Sequence, residues 1–118
     1  MQYGFILPHG DIHTLAELAH ASGIPLIFSS VLPVHDYTPQ SQNFFAQRDP
    51  AKILTLNAWL KNYCSTHGLV YLDYFLAMVD EHGLLRKDLA TDGLHPNDAG
   101  YKIMAPLAET AVEQALKR

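Results

Sequence analysis

Pro25-Leu26-Ile27-Phe28-Ser29-Ser30-Val31, closed by Pro33, is continuously apolar and too short for helical periodicity, so it reads as a strand buried on both faces of a sheet. Downstream, Asp49-Pro50 opens a helix in which Ile53, Leu56, Leu60, Tyr63 and Cys64 share a face, and Gly68 stops it. Leu69-Val70-Tyr71-Leu72-Asp73 then reads as another strand. A strand, a helix and a strand in that order predict parallel pairing with a right-handed crossover.

Working outward, Leu15, Leu18 and Ala19 recur at helical spacing from Thr14 and end at Gly23. Before them, Tyr3 to Leu7 is a short apolar run cut off by Pro8 and Gly10, which suits a first strand. The polar, proline-bearing stretch from Pro33 to Pro50 is a long loop. After the last strand, a short helix covers about Tyr74 to Glu81 and a loop runs to Asn97. A final helix then places Ile103, Leu107, Val112 and Leu116 inward. The fold class is α/β, a small parallel three-stranded sheet flanked by helices in a single domain, 1–118. Three strands are few, because open parallel sheets normally carry more.

Composition narrows the function. A chain of 118 residues holds one core, and 48% hydrophobic against 17% charged residues makes that core affordable. The net charge is −4 and the basic residues are scattered, which argues against a nucleic-acid surface and for an acidic-to-neutral substrate site. The lone Cys64 reads as a small buried hydrophobe. The opening MQYGFILPHG has no positive start and is broken by Gly4 and Pro8, so it is neither a secretory signal nor a membrane span. The expectation is a soluble, cytoplasmic chain.

The most informative chemistry lies in Thr91-Asp92-Gly93-Leu94-His95-Pro96-Asn97. An acid and an imidazole three residues apart in a tight loop can act together. The carboxylate accepts the Nδ1 proton, and Nε2 is left free to take a proton from a hydroxyl. The plainer alternative is an Asp that caps a turn beside a partly buried loop histidine.

DGLHPN, with the DAGYKIMA that follows, resembles the last conserved block of the SGNH (GDSL) hydrolases. These are flavodoxin-like α/β/α sandwiches that cleave acyl esters with a serine nucleophile. The similarity extends through IPLIFSSVLPVHDY, KILTLNAWLKNYCSTHG and LVYLDYF, about Gly23 to Leu107. It implies Asp92 as the triad acid, His95 as the base, a small acyl-ester substrate, and neither cofactor nor metal. No Gly-Asp-Ser occurs in the chain. Among Ser22, Ser29, Ser30, Ser41 and Ser65, only Ser29 and Ser30 stand near the carboxyl end of a strand. They are the candidate nucleophiles, with packing and hydrogen bonding at a strand end as their alternative role. FILPHGDI resembles a worn Gly-x-Asn-Asp block, which places Gly10 and Asp11 in the oxyanion region.

The resemblance further implies the C-terminal half of that fold, with its third, fourth and fifth strands. The strand Tyr3 to Leu7 would then carry a bare edge, and bare edges invite pairing. Two functions follow: an ester hydrolase of weak or no activity alone, and a non-catalytic truncated remnant that forms a homo-oligomer through that edge. Tyr37, Phe44 and Phe45 in the long loop either shape an acyl pocket or cover the core edge. His9 and His13 have a spacing that could bind metal on a helix, but Gly10 argues against a helix there, and a structural role is expected.

Overall fold

The computed structural model describes residues 9–39, 41, 42, 45 and 48–117. In chain order the elements are α1 (His9–Ala21), β1 (Ile27–Ser29), α2 (Pro50–His67), β2 (Val70–Leu72), α3 (Tyr74–Met78) and α4 (Asp98–Leu116). A 3₁₀ turn, Lys87–Leu89, precedes α4. Among the described residues the sheet has two strands, paired in parallel with Ile27 opposite Val70, Phe28 opposite Tyr71 and Ser29 opposite Leu72. The expected strand Tyr3 to Leu7 lies outside the described residues.

Strand alternation sends successive side chains to opposite faces. Ile27, Val70 and Leu72 pack with Leu107, Ala108, Ala111 and Ala115 of α4. Phe28 and Tyr71 turn the other way, onto Ile12 and Ala16 of α1 and Leu60 and Tyr63 of α2. The result is helix, sheet, helix. Each fully buried aliphatic side chain of these layers stabilises the fold by roughly 1.5–3 kcal/mol. Two further clusters sit past the carboxyl ends of the strands. One joins Val34 and Ile53 to Phe45, Phe75 and Leu94, and the other joins Met78, Leu85, Leu89 and Ala90 to Leu32, Ile103 and Met104.

The boundaries of α2 follow the sequence closely. Asp49 accepts the Ala51 amide at 2.9 Å, Pro50 occupies the first turn, and Gly68 closes the helix in the left-handed region at φ 68°. The other helices depart from expectation in phase. Helix α1 begins at His9, not Thr14, so Gly10 lies in its first turn and Ile12 becomes its buried anchor. The inward face is therefore Ile12, Ala16 and Ala19, and Leu15 and Leu18 are exposed. In α4 the inward positions are Gly100, Ile103, Met104, Leu107, Ala108, Ala111 and Ala115, while Val112 and Leu116 face out. Alanines flank one large residue on each sheet-facing stripe, Ala16 beside Ile12 in α1 and Ala108, Ala111 and Ala115 beside Leu107 in α4, and alanine lets a helix approach the strands more closely than leucine does. Strand β1 is also more open than expected, with partly buried Ile27 and Phe28 and an exposed Ser29.

From Ser30 to His35 the chain is extended but has only partial ladder support, so its backbone groups are bonded piecemeal. The Ser30 amide donates to the Leu72 carbonyl at 2.9 Å, carrying the ladder one step past β1. Asn57, buried on α2, accepts from the Val31 amide at 2.7 Å and donates to the Val31 carbonyl at 3.0 Å. The Val34 carbonyl accepts the Leu85 amide at 3.0 Å. Asn57→Leu preserves bulk but orphans both polar groups of Val31. It should lower stability in urea unfolding by about 1–3 kcal/mol, whereas the exposed Leu54→Ala should stay within about 0.5 kcal/mol.

Candidate active site

Asp92 organises the loop that precedes α4. Its Oδ1 accepts the amides of Leu94 at 2.9 Å and His95 at 2.8 Å, an Asx turn that bends the backbone back on itself. Its Oδ2 lies 2.6 Å from Nδ1 of His95. A carboxylate can only accept, so Nδ1 carries the hydrogen and donates, and Nε2 is the ring's remaining nitrogen. The His95 side chain is 72% exposed and that of Asp92 35%, which leaves the ring on the surface with its carboxylate tucked behind it. Burial pushes the Asp92 carboxyl up. The hydrogen bonds from the His95 ring and from the amides of His95 and Leu94 outweigh that and bring it from 3.8 down to about 2.

The turn also needs a glycine. Gly93 stands at φ 79°, and a Cβ there would fall 2.4 Å from Cβ of Ser41, 2.7 Å from the His35 carbonyl oxygen and 2.9 Å from the His35 ring. The loop's far end is tied down by Asn97. Its amide donates to the Leu89 carbonyl at 2.8 Å, its side-chain nitrogen donates to the Asp88 carbonyl at 3.0 Å, and its Oδ1 caps α4 by accepting the Gly100 amide at 3.0 Å.

The remaining candidate residues are distributed differently. Ser29 ends β1 on an exposed position. Ser30 is 5% exposed, and its hydroxyl accepts the Phe75 amide at 2.9 Å, so it serves the start of α3. Among the described residues neither hydroxyl is hydrogen-bonded to His95. Gly10 and Asp11 occupy the exposed first turn of α1. Tyr37 stacks on His35 with centroids 4.9 Å apart and donates its hydroxyl to Asp80. That bond, with burial and neighbouring carboxylates, pushes the phenol up to about 12. Phe45 packs with Val34, Ile53 and Leu94 and so links the long loop to the site loop. Phe44 lies outside the described residues.

His13 is helical after all, contrary to the sequence expectation, because α1 starts earlier. It is engaged on both ring nitrogens, with the Tyr63 hydroxyl at 2.9 Å and Glu17 at 2.5 Å. Among the described residues no group of three or more His, Cys, Asp or Glu is placed to hold a metal ion. No helix among them is long and apolar enough to cross a membrane. Sequence reasoning did not single out His35 and Ser41, buried polar residues beside Gly93, or Asn57, buried against Val31. Only Ser41 carried a local signal. With Thr38 three residues before it, it forms a hydroxyl-capped turn in which its Oγ donates to the Thr38 carbonyl at 2.8 Å and accepts the Thr38 amide at 3.1 Å.

Comparison with known proteins bears on the family and the fold. The model of the GDSL-like lipase/acylhydrolase family matches residues 7–103. A solved GDSL-like lipase from Bacteroides thetaiotaomicron is 34% identical with a TM-score of 0.77, over 90% of this chain and 51% of that one. A structure from Bacteroides fragilis, assigned as an acylhydrolase, is 33% identical with a TM-score of 0.76, over 91% of this chain and 50% of that one. An esterase domain from a zebrafish retrotransposon protein, at 22% identity and a TM-score of 0.66 over 88% of this chain and 56% of that one, shares the fold. A comparison with curated proteins gives no match. The chain spans about half the length of the two Bacteroides structures. With the α/β/α layers in place and most of its length matched by the family model, the chain belongs to the GDSL-like lipase/acylhydrolase family.

Proposed function

We propose that this chain carries the acid–base pair of a carboxylic ester hydrolase, with Asp92 orienting His95 and His95 acting as general base on a small acyl ester. The observation that supports this reading best is the 2.6 Å contact between Nδ1 of His95 and Oδ2 of Asp92 on an otherwise exposed ring. The carboxylate selects the tautomer and stabilises the imidazolium that forms when Nε2 takes a proton. Because the Asp92 carboxyl is drawn down to about 2, it stays ionised when the imidazole beside it gains that proton.

No Gly-Asp-Ser block occurs in this sequence to supply the serine nucleophile, and FILPHGDI, which resembles the family's Gly-x-Asn-Asp block, has Gly10 in place of the asparagine oxyanion donor. Nucleophilic attack and oxyanion stabilisation carry most of the acceleration in such enzymes, so turnover by this chain alone is weak or nil. Ser29 and Ser30 are the nucleophile candidates nearest a strand end. The Phe75 amide already occupies the Ser30 hydroxyl as an acceptor, which favours its structural role. Tyr37 and Phe45 remain candidates for the wall of the acyl pocket, and Gly10 and Asp11 for a degenerate oxyanion region.

A second reading, the non-catalytic homo-oligomer, draws on the apolar surface around α1. Leu15, Leu18 and Ile24 are exposed. Beside them a cleft of about 400 Å³ opens at the amino ends of the strands, lined in part by Ala16, Ile24, Leu26 and Leu69. The pairing edge expected from the sequence, Tyr3 to Leu7, lies outside the described residues. Light scattering at micromolar concentration should show a dimer, and a monomer there counts against it.

The hydrolase reading is tested by turnover of a short-chain aryl ester. His95→Ala should abolish all rate above buffer, and equal rates in the two proteins refute catalysis through His95. The same pair sets a pH dependence. The folded-state value of Asp92 lies below its ordinary 3.8, so its contribution to stability is complete above about 3.8 and is lost as pH falls toward about 2. The stability gap between wild type and Asp92→Asn, read by thermal melts from pH 6 downward, should therefore close across that window.

A further inference from the structure

His35 has no place in the acid–base chemistry, yet it is fully buried, at 0% exposure, directly beneath the loop that performs it. Its backbone amide and both ring nitrogens are committed. Its backbone amide donates to the Gly93 carbonyl at 3.1 Å. Its Nε2 lies 3.1 Å from the Ala90 carbonyl oxygen, which can only accept, so the ring hydrogen is on Nε2. Its Nδ1 is then an acceptor, and the Tyr37 amide donates to it at 3.3 Å. One residue thus holds the chain at Ala90 and again at Gly93, the positions that bracket the entry to Asp92. Its carbonyl oxygen and ring also form the floor against which the left-handed Gly93 rests, with room for a hydrogen there and none for a Cβ.

We propose that His35 is a positioning residue for the Asp92–His95 pair, setting the backbone register of the turn so that both Asp92 oxygens meet their donors. The physical argument is one of leverage. The Asx turn needs the Asp92 carboxylate to face the amides of Leu94 and His95 and the His95 ring together, at 2.9, 2.8 and 2.6 Å. A short exposed loop would not hold those three contacts at once without an anchor. The anchor is a rigid ring with a single donor and a single acceptor, packed under Tyr37. Its catalytic meaning rests on the hydrolase reading, but its structural content does not.

The experiment uses His35→Gln and His35→Asn in the whole chain, read by nuclear magnetic resonance. A glutamine amide reaches as far as the Nε2 of histidine and can still donate to the Ala90 carbonyl, whereas an asparagine amide stops near Nδ1. Two signals report the pair: the titration of the Asp92 carboxyl carbon and the low-field hydrogen-bonded proton on Nδ1 of His95. In wild type and His35→Gln, Asp92 should titrate near about 2 and the low-field proton should persist. In His35→Asn, Asp92 should move back toward 3.8 and the proton should broaden, with the methyl signals of Leu72 and Ala111 in the sheet core unchanged. Gly93→Ala, which presses on His35 from the other side, should move Asp92 in the same direction.

The proposal is overturned if Asn leaves both signals as in wild type, or if Gln and Asn move them equally. It is also overturned if the sheet-core signals collapse in His35→Asn, since that would make His35 a residue of global stability. An inactive wild type leaves these signals readable, and their failure leaves catalysis through His95 standing, so the two readings are separable.

Discussion

The extended passage from Ser30 to His35 has no complete ladder of its own, and buried backbone groups must nonetheless be bonded. Four separate parts of the chain meet that demand: Leu72 at Ser30, Asn57 at Val31, Leu85 at Val34 and Gly93 at His35. This seam therefore registers β2, α2, the segment before the 3₁₀ turn and the site loop against one another. The apolar clusters on either side supply most of the stabilisation, but they are tolerant of small slides. The hydrogen bonds along the seam are directional and define the register.

The site loop inherits that register. Asn97 fastens its outgoing end to the 3₁₀ turn and to α4, and Gly93 fastens its middle to His35. Between these points Asp92 spends one oxygen on the turn and the other on the imidazole. A carboxylate shared in this way cannot reorient without breaking the turn, so the backbone fold of the loop and the orientation of the ring are a single event. The turn depends on a glycine whose place leaves no room for a Cβ and on a buried histidine beneath it.

Legibility in the sequence varied with the range of the interaction that decides each feature. The strand, helix and strand from Ile27 to Leu72 were readable because Asp49, Pro50 and Gly68 mark the helix ends through contacts within a few residues. The pairing of Asp92 with His95 was readable for the same reason, as donor and acceptor sit three residues apart. The inward faces of α1 and α4 were legible only in part: Ile103 and Leu107 pack inward as expected, but Leu15, Leu18, Val112 and Leu116 are exposed, and Ile12, Ala16, Ala111 and Ala115 join the core instead. His35, Ser41 and Asn57 gave little or no signal, since their partners outside the local turn lie across the fold.

From the amino-acid order alone came the α/β class and the crossover unit, through periodicity and caps, the pairing of Asp92 with His95, through their short spacing, and the family resemblance, through the DGLHPN motif. Only the tertiary structure decided which helix face meets the sheet, that Ser30 serves the start of α3, and that His35 lies under Gly93. Those outcomes depend on side chains brought together from distant parts of the chain, and no local pattern encodes a distance between them.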